Sequence, residues 1–235
     1  MIDIHSHILP GIDDGAETFE DSVNIVCGLV SQGVTDIIAT PHYVDETKYT
    51  VPYDENKILL ENLRAGLDSK GINVNIFLGN EIYINDKIPE LLEKNIITTL
   101  ADSKYLLIEL PLNGEYQSYE DIFADLMERG YNVLLAHPER YEITQEKYQT
   151  LVDLCDMGVL LQCNLGSVIG KYGKGAQKLV KKLAKEKRIF AFGSDIHHPN
   201  RNNFVSLAQK KLSKFYDEKS LEQVLVKNSE KILGR

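Results

Sequence analysis

The chain predicts an α/β fold in which parallel strands alternate with helices, and three observations carry that expectation. Seven short apolar runs recur along it, longer amphipathic segments separate them, and no Pro/Gly linker, low-complexity tract or fixed-period repeat divides it. A chain of 235 residues is long enough for a well-filled core and falls in the range where α/β barrels form one domain, so a single domain over 1–235 is expected. On this pattern alone, a closed or distorted barrel and a doubly wound sheet both stay open.

Strands are expected at 1–6, at "VTDIIAT" (34–40), at "VNIFLGNE" (74–81), at "YLLIEL" (105–110), at "YNVLLAH" (131–137), at "GVLLQCN" (158–164) and at "RIFAFGSD" (188–195). After the first, Thr18 with Asp21 three residues on forms a capping-box pattern, Val23, Val26 and Val30 recur at helical spacing, and Gly33 closes the helix. That helix, around residues 18–32, is a candidate subunit face for a homo-oligomer. Before the last strand, "GAQKLVKKLAKEKR" sets Leu179 and Leu183 on one face and Lys178, Lys182 and Lys185 off it. It reads as a solvated barrel helix, with a docking patch for an acidic partner as the alternative.

Composition narrows the function classes. With 43 % apolar and 26 % charged residues and no apolar run of membrane-spanning length, the chain has a soluble protein's composition and no membrane insertion is expected. A net charge of −9 lacks the footprint of a general nucleic-acid binder. The first residues carry an acid and histidines where an export signal needs a basic start and an apolar run, so a cytoplasmic location is expected. Cys27, Cys155 and Cys163 are few, widely spaced and set among apolar neighbours, which fits buried reduced thiols.

The polar residues then fall in one place. His5 and His7 end the first predicted strand, His42 the second and His137 the fifth, while His197 and His198 follow the seventh. Glu81 and Glu109 end the third and fourth, Asp195 ends the seventh, and Asp13 and Asp14 lie in the first loop. In parallel α/β folds the carboxyl ends of the strands converge on the ligand site, so residues distant in sequence meet there. Within "HSH" and "DIH" the i, i+2 spacing aims both side chains to one side of a strand, so each pair can grip one cation. Imidazoles with many carboxylates suit Mn²⁺, Fe²⁺ or Zn²⁺, the oxygen share favours Mn²⁺, and the absence of cysteine from these motifs argues against a structural thiolate zinc site.

Together "DIHSHILPGIDDG", "ATPHY", "GNEIY", "IELP", "AHPERY" and "GSDIHH" resemble the polymerase-and-histidinol-phosphatase (PHP) superfamily of metal-dependent phosphoesterases. The "LPGIDDG" and "HPERY" forms resemble, within it, the bacterial manganese-dependent protein tyrosine phosphatases of capsule and exopolysaccharide operons. The resemblance implies a distorted seven-stranded (β/α) barrel with three Mn²⁺ ions at its rim. It assigns His5, His7, Glu81 and Asp195 to the first ion, Glu81 as a bridge to a second completed by Glu109 and His137, and Asp14, His42 and His197 to the third. Asp13 is the nearest rival to Asp14, and His198 has no place in that scheme. Arg140 and Arg201 would face the phosphate, with His42 counted beside them among the catalytic residues.

That likeness implies hydrolysis of phosphotyrosine, on the tyrosine-rich tail of a bacterial kinase controlling polysaccharide assembly. A phenol leaving group, with a pKa near 10, needs no strong general acid. Tyr43, Tyr49 and Tyr53, in the loop after His42, are candidates to stack on the substrate ring. The thiol route is closed, since none of the three cysteines begins a C-x5-R phosphate loop. A histidinol phosphatase or other small-molecule phosphoesterase of the superfamily, and a non-catalytic metal-holding module, are the rival readings.

Overall fold

The first strand, β1 (Ile2–Ser6), is buried along its whole length, as a parallel strand covered on both faces must be. It opens a computed structural model that describes residues 1–113, 119–199 and 204–235. Helix α1 (Phe19–Val30) follows with the expected capping box: Thr18 accepts from the Asp21 N–H and the Asp21 carboxylate accepts from Thr18. Gly33, at φ 86°, turns the chain back into β2 (Asp36–Ala39). The succession continues through β3 (His42–Tyr43), α2 (Tyr53–Ser69), β4 (Asn75–Leu78), β5 (Glu81–Tyr83), α3 (Ile88–Glu93), β6 (Tyr105–Glu109), α4 (Glu120–Glu128) and β7 (Asn132–Leu135). It ends with α5 (Glu142–Glu146), α6 (Tyr148–Met157), β8 (Leu160–Asn164), α7 (Leu165–Ile169), α8 (Gly173–Lys185), β9 (Ile189–Gly193), α9 (Val205–Leu212), α10 (Glu218–Glu222) and α11 (Asn228–Ile232).

Every strand pair is parallel, and the strands form a three-stranded sheet, β1-β2-β4, and a six-stranded sheet, β3-β5-β6-β7-β8-β9. The described residues therefore hold nine strands where the sequence predicts seven. The reason is local. The second and third predicted runs break at Thr40–Pro41 and at Gly79–Asn80, and both cross from one sheet to the other while staying neighbours: Ala39 pairs with Leu78, then His42 with Glu81. Proline has no N–H for a ladder. At Gly79 a Cβ would lie 2.7 Å from the Leu100 side chain and 3.2 Å from its Cα, so any other residue would force Leu100 to shift at the bend. His42 and Glu81 consequently open the short strands β3 and β5 instead of closing longer ones.

The sheets also meet on the other side. The Asp195 N–H donates to the His5 carbonyl at 2.9 Å and the His7 N–H to the Ile196 carbonyl at 3.0 Å, which brings the end of β9 against the end of β1. Apolar side chains pack in two groups. Ile37, Ile108, Leu135, Cys163 and Phe192 look outward to the helices, against residues such as Leu29, Leu63, Phe123 and Leu183. Ile4, Ile38, Leu107, Leu134 and Ala191 form a second, smaller group closed by Leu100 and by Ile232 of α11. Of the cysteines only Cys163 is fully buried; Cys27 and Cys155 are half-buried, and all three are free thiols.

Candidate metal centre

Five histidines and five carboxylates meet at the carboxyl-end rim. β1 delivers His5, and His7 follows one residue beyond it; β3 and β5 begin with His42 and Glu81, and β6 ends with Glu109. His137 and Asp195 stand just past β7 and β9 with left-handed backbones, φ 29° and φ 52°. Such a conformation costs an L-residue about 1–3 kcal/mol and persists only where surroundings impose it.

Glu81 is the hub. Its Oε2 lies 3.1 Å from His5 Nε2, 3.2 Å from His7 Nε2 and 3.2 Å from His42 Nδ1, and its Oε1 lies 2.9 Å from His137 Nε2. Glu109 stands 3.5 Å from His137 and 3.6 Å from His42. Asp195 Oδ1 is 3.5 Å from both His5 and His197, while Asp14 Oδ1 is 3.4 Å from both His42 and His197. Three groups have donor atoms all within 4.8 Å of one another: His5, His7, Glu81 and Asp195; His42, Glu81 and Glu109; and His7, Asp14, His42 and His197. The groups share members, so this is one continuous cluster.

Its electrostatics call for added positive charge. Burial pulls the His5 imidazole toward the neutral form, yet the Glu81 and Asp195 carboxylates override it and push its pKa up to about 10. Glu81 is held well below the usual carboxylate range: burial pushes it up and the facing His5 and His42 outweigh that. Glu109 moves the other way, raised by burial and then by Glu81. Buried Glu81 Oε2 and the Nδ1 atoms of His42 and His137 have no hydrogen-bond partner. Lone-pair donors aimed at a common space, with unpartnered buried atoms among them, fit divalent cations.

A second tier orients these donors, as metal sites require. Gln162 Oε1 accepts from the His137 N–H at 3.3 Å and lies 2.9 Å from His5 Nδ1; it is an acceptor, so His5 keeps a proton on Nδ1 and Nε2 is the nitrogen left to face the cluster. Gln162 in turn donates to Asn164 Oδ1 at 3.0 Å, and Asn164 donates to Asp195 Oδ2 at 2.6 Å. Asp13 Oδ2 lies 2.8 Å from His7 Nδ1 and accepts from the His42 N–H at 3.2 Å. Asp13 thus stands behind His7, and Asp14 is the one that faces His42 and His197. The Tyr141 hydroxyl donates to the Ala136 carbonyl at 2.6 Å and accepts from the Leu110 N–H at 3.0 Å, fixing the turn that carries His137 and Arg140.

Arg140 donates to Asp195 Oδ2 at 2.8 Å and stacks 4.5 Å over the Tyr172 ring. With Asp14, Lys171, Tyr172, His197 and His198 it lines a cavity of about 200 Å³ beside the cluster. His198 is therefore a half-buried wall residue. Arg201 lies outside the described residues. Of the three candidate tyrosines only Tyr49 adjoins the site, its ring 5.9 Å from that of His42. Tyr43 is buried in the outer core and Tyr53 packs at the start of α2, so neither reaches the rim, a correction to the expected stacking trio.

Sequence reading gave no role to Gln162, Asn164, Tyr141 or Tyr172. A signal for two of them existed: Gln162 and Asn164 sit at i, i+2 in an otherwise apolar buried strand, which puts two amides on one face.

With this geometry in hand, the comparisons with known proteins agree closely. Residues 1–234 match the model of the family described as capsular polysaccharide synthesis, CpsB/CapC. The chain belongs to the CpsB/CapC family. Tyrosine-protein phosphatase YwqE of Bacillus subtilis is 34 % identical, covering 87 % of this chain and 80 % of its own. Tyrosine-protein phosphatase CpsB of Streptococcus pneumoniae is 30 % identical, covering 99 % of this chain and 98 % of its own. A solved structure from work on those two, described as metal-dependent tyrosine phosphatases, superposes with a TM-score of 0.89 at 32 % identity, covering 100 % of this CpsB/CapC chain and 94 % of the other. A D-hydantoinase at TM-score 0.56 and 11 % identity, over 97 % of this chain and 69 % of its own, shares the fold alone.

Proposed function

We propose that this CpsB/CapC member is a metal-dependent protein tyrosine phosphatase, acting in the cytoplasm on a bacterial tyrosine kinase that regulates capsular or exopolysaccharide synthesis. The observation that carries the reading is Glu81, buried, with one oxygen 3.1–3.2 Å from three imidazoles beside the phosphate-sized cavity of Arg140. Three ions, Mn²⁺ by the donor mixture, would be held by His5, His7, Glu81 and Asp195; by Glu81, Glu109 and His137; and by Asp14, His42 and His197. The closeness of His42 to Glu81 and Glu109, at 3.2 and 3.6 Å, supports its place at the junction of the second and third. The two sheets are read as one distorted barrel of seven strand positions, since the paired breaks in β2/β3 and β4/β5 keep neighbours together and β9 returns to β1.

Divalent ions in such a site supply Lewis-acid charge to phosphoryl oxygens and acidify water, the two things phosphate monoester hydrolysis lacks in solution. The protein's own groups do the rest. The Arg140 guanidinium is anchored through one N–H on Asp195 and braced by Tyr172, which leaves a planar fork at the cavity wall matched to phosphate. Asp14 lines the same cavity, with His42 and His197 on its one oxygen. The substrate's phenolate leaves as a weak base, so no acid beyond these groups is required. Burial pushes the Cys163 and Cys155 thiols up, away from the thiolate form a nucleophile would need.

The test is hydrolysis of a phosphotyrosyl peptide by metal-stripped protein with and without Mn²⁺, beside His137→Ala and a histidinol phosphate control. Mn²⁺-dependent release of phosphate from the peptide, lost in the variant, is expected. Turnover of histidinol phosphate alone would transfer the site to a small-molecule substrate, and no turnover of either would leave a metal-holding binding module.

A further inference from the structure

Lysine is gathered on one helix of this acidic chain. α8 carries Lys174, Lys178, Lys181, Lys182 and Lys185 and no carboxylate, in a molecule of net charge −9. At about 100° per residue the five fall within an arc of roughly 100°, opposite the buried Leu179, Val180 and Leu183. Like charges three and four residues apart repel, so the stripe weakens the helix that bears it. One carboxylate, Glu186 just past the helix, shares a groove with these lysines and feels the charge of Lys182, but its hydrogen bonds go elsewhere. Glu186 accepts from the Tyr148 hydroxyl and pairs with Arg188 at 3.3 Å, and Lys182 rests 3.2 Å over the Tyr148 ring.

The stripe is continuous with the catalytic rim. Lys171 and Tyr172, immediately before α8, line the cavity of Arg140. From there Lys174 to Lys185 covers about 16 Å along the helix, the reach of roughly five residues of extended chain. Two grooves flank it, of about 430 Å³ and 370 Å³, both lined by Lys178 and Lys182. The outward arc bears no aromatic or large aliphatic side chain to insert into lipid, which separates it from an amphipathic membrane anchor.

We propose that α8 is a docking track for an acidic segment of the substrate polypeptide, lying to one side of the phosphotyrosine whose phosphoryl group sits against Arg140. The proposal rests on the phosphatase reading and names the substrate class that reading leaves open. Complementary charge of this kind speeds encounter and fixes register, and it weakens with salt.

The experiment compares phosphotyrosyl peptides carrying a five-residue Asp/Glu run, before or after a short spacer, with Asn/Gln counterparts, for the metal-loaded protein and a K174Q/K178Q/K181Q/K185Q variant. An acidic peptide is expected to show a KM roughly tenfold below its neutral counterpart. That gap should shrink with added salt and vanish in the variant, while p-nitrophenyl phosphate is hydrolysed at an unchanged rate. Equal KM values for the wild-type protein, or a preference kept by the variant, overturn the track. If neither peptide nor p-nitrophenyl phosphate is hydrolysed, the phosphatase reading falls, and anisotropy of the fluorescent dephosphorylated acidic peptide decides alone. Salt-sensitive binding lost in the variant upholds the track, and no binding overturns it. Co-sedimentation with phosphatidylserine vesicles, lost in the variant and without peptide preference, would give the stripe to lipid and overturn it as well.

Discussion

The rim and the inner apolar group are built from the same strands yet obey opposite rules. Along β6, Leu107 faces the inner group while Glu109, two residues on, faces the His/carboxylate cluster; along β1, Ile4 packs inside while His5 joins that cluster. The inner group is built of aliphatic side chains with Phe77, Tyr105 and Phe190 at its edge, and its burial favours folding without any ligand. The rim buries carboxylates against imidazoles, leaves three site atoms without partners and holds His137 and Asp195 in left-handed backbone. Stability is concentrated at one end of the wall and chemistry at the other, joined by a few residues of strand.

Removing metal should break the comparison hardest. Chelation is expected to bring phosphotyrosyl peptide hydrolysis to background and lower the melting temperature, while the far-ultraviolet circular dichroism of the cooled protein stays native, because the inner group needs no ion. Thiol alkylation should leave the rate intact. Arg140→Lys comes next: it keeps a charge on Asp195 but loses the fork, so turnover should fall on the order of 10²-fold at unchanged metal content by atomic emission. Gln162→Leu removes the amide that sets the His5 tautomer, and metal affinity should weaken about 10–100-fold, with turnover restored at saturating Mn²⁺. Leu134→Ala sharpens the contrast from the other side. Its cavity should cost about 2–5 kcal/mol in urea unfolding, while kcat per folded molecule stays that of the parent.

Much of the rim was legible because buried strands in parallel sheets are nearly all apolar, so a histidine or carboxylate at the end of such a run stands out. The "HPERY" motif singled out Arg140, which stands on Asp195 at the edge of the cluster. The break at Gly79–Asn80 was not legible, since it depends on Leu100, which approaches from a different part of the chain and crowds the position. The bracing by Tyr141 was hidden for a similar reason: its acceptor and donor are backbone groups of Ala136 and Leu110, which no side-chain pattern announces. Tyr43 misled because residue type alone does not say which face a two-residue strand presents.

The left-handed backbones at His137 and Asp195 set stability and activity against each other at single positions. Glycine there would relax the chain and delete a donor, whereas alanine would delete the donor and keep the strain. His137→Gly should therefore melt above His137→Ala though both are inactive. Selection for robustness alone would erode these two sites first, which makes a histidine and an aspartate in that conformation a mark of a fold kept under working load.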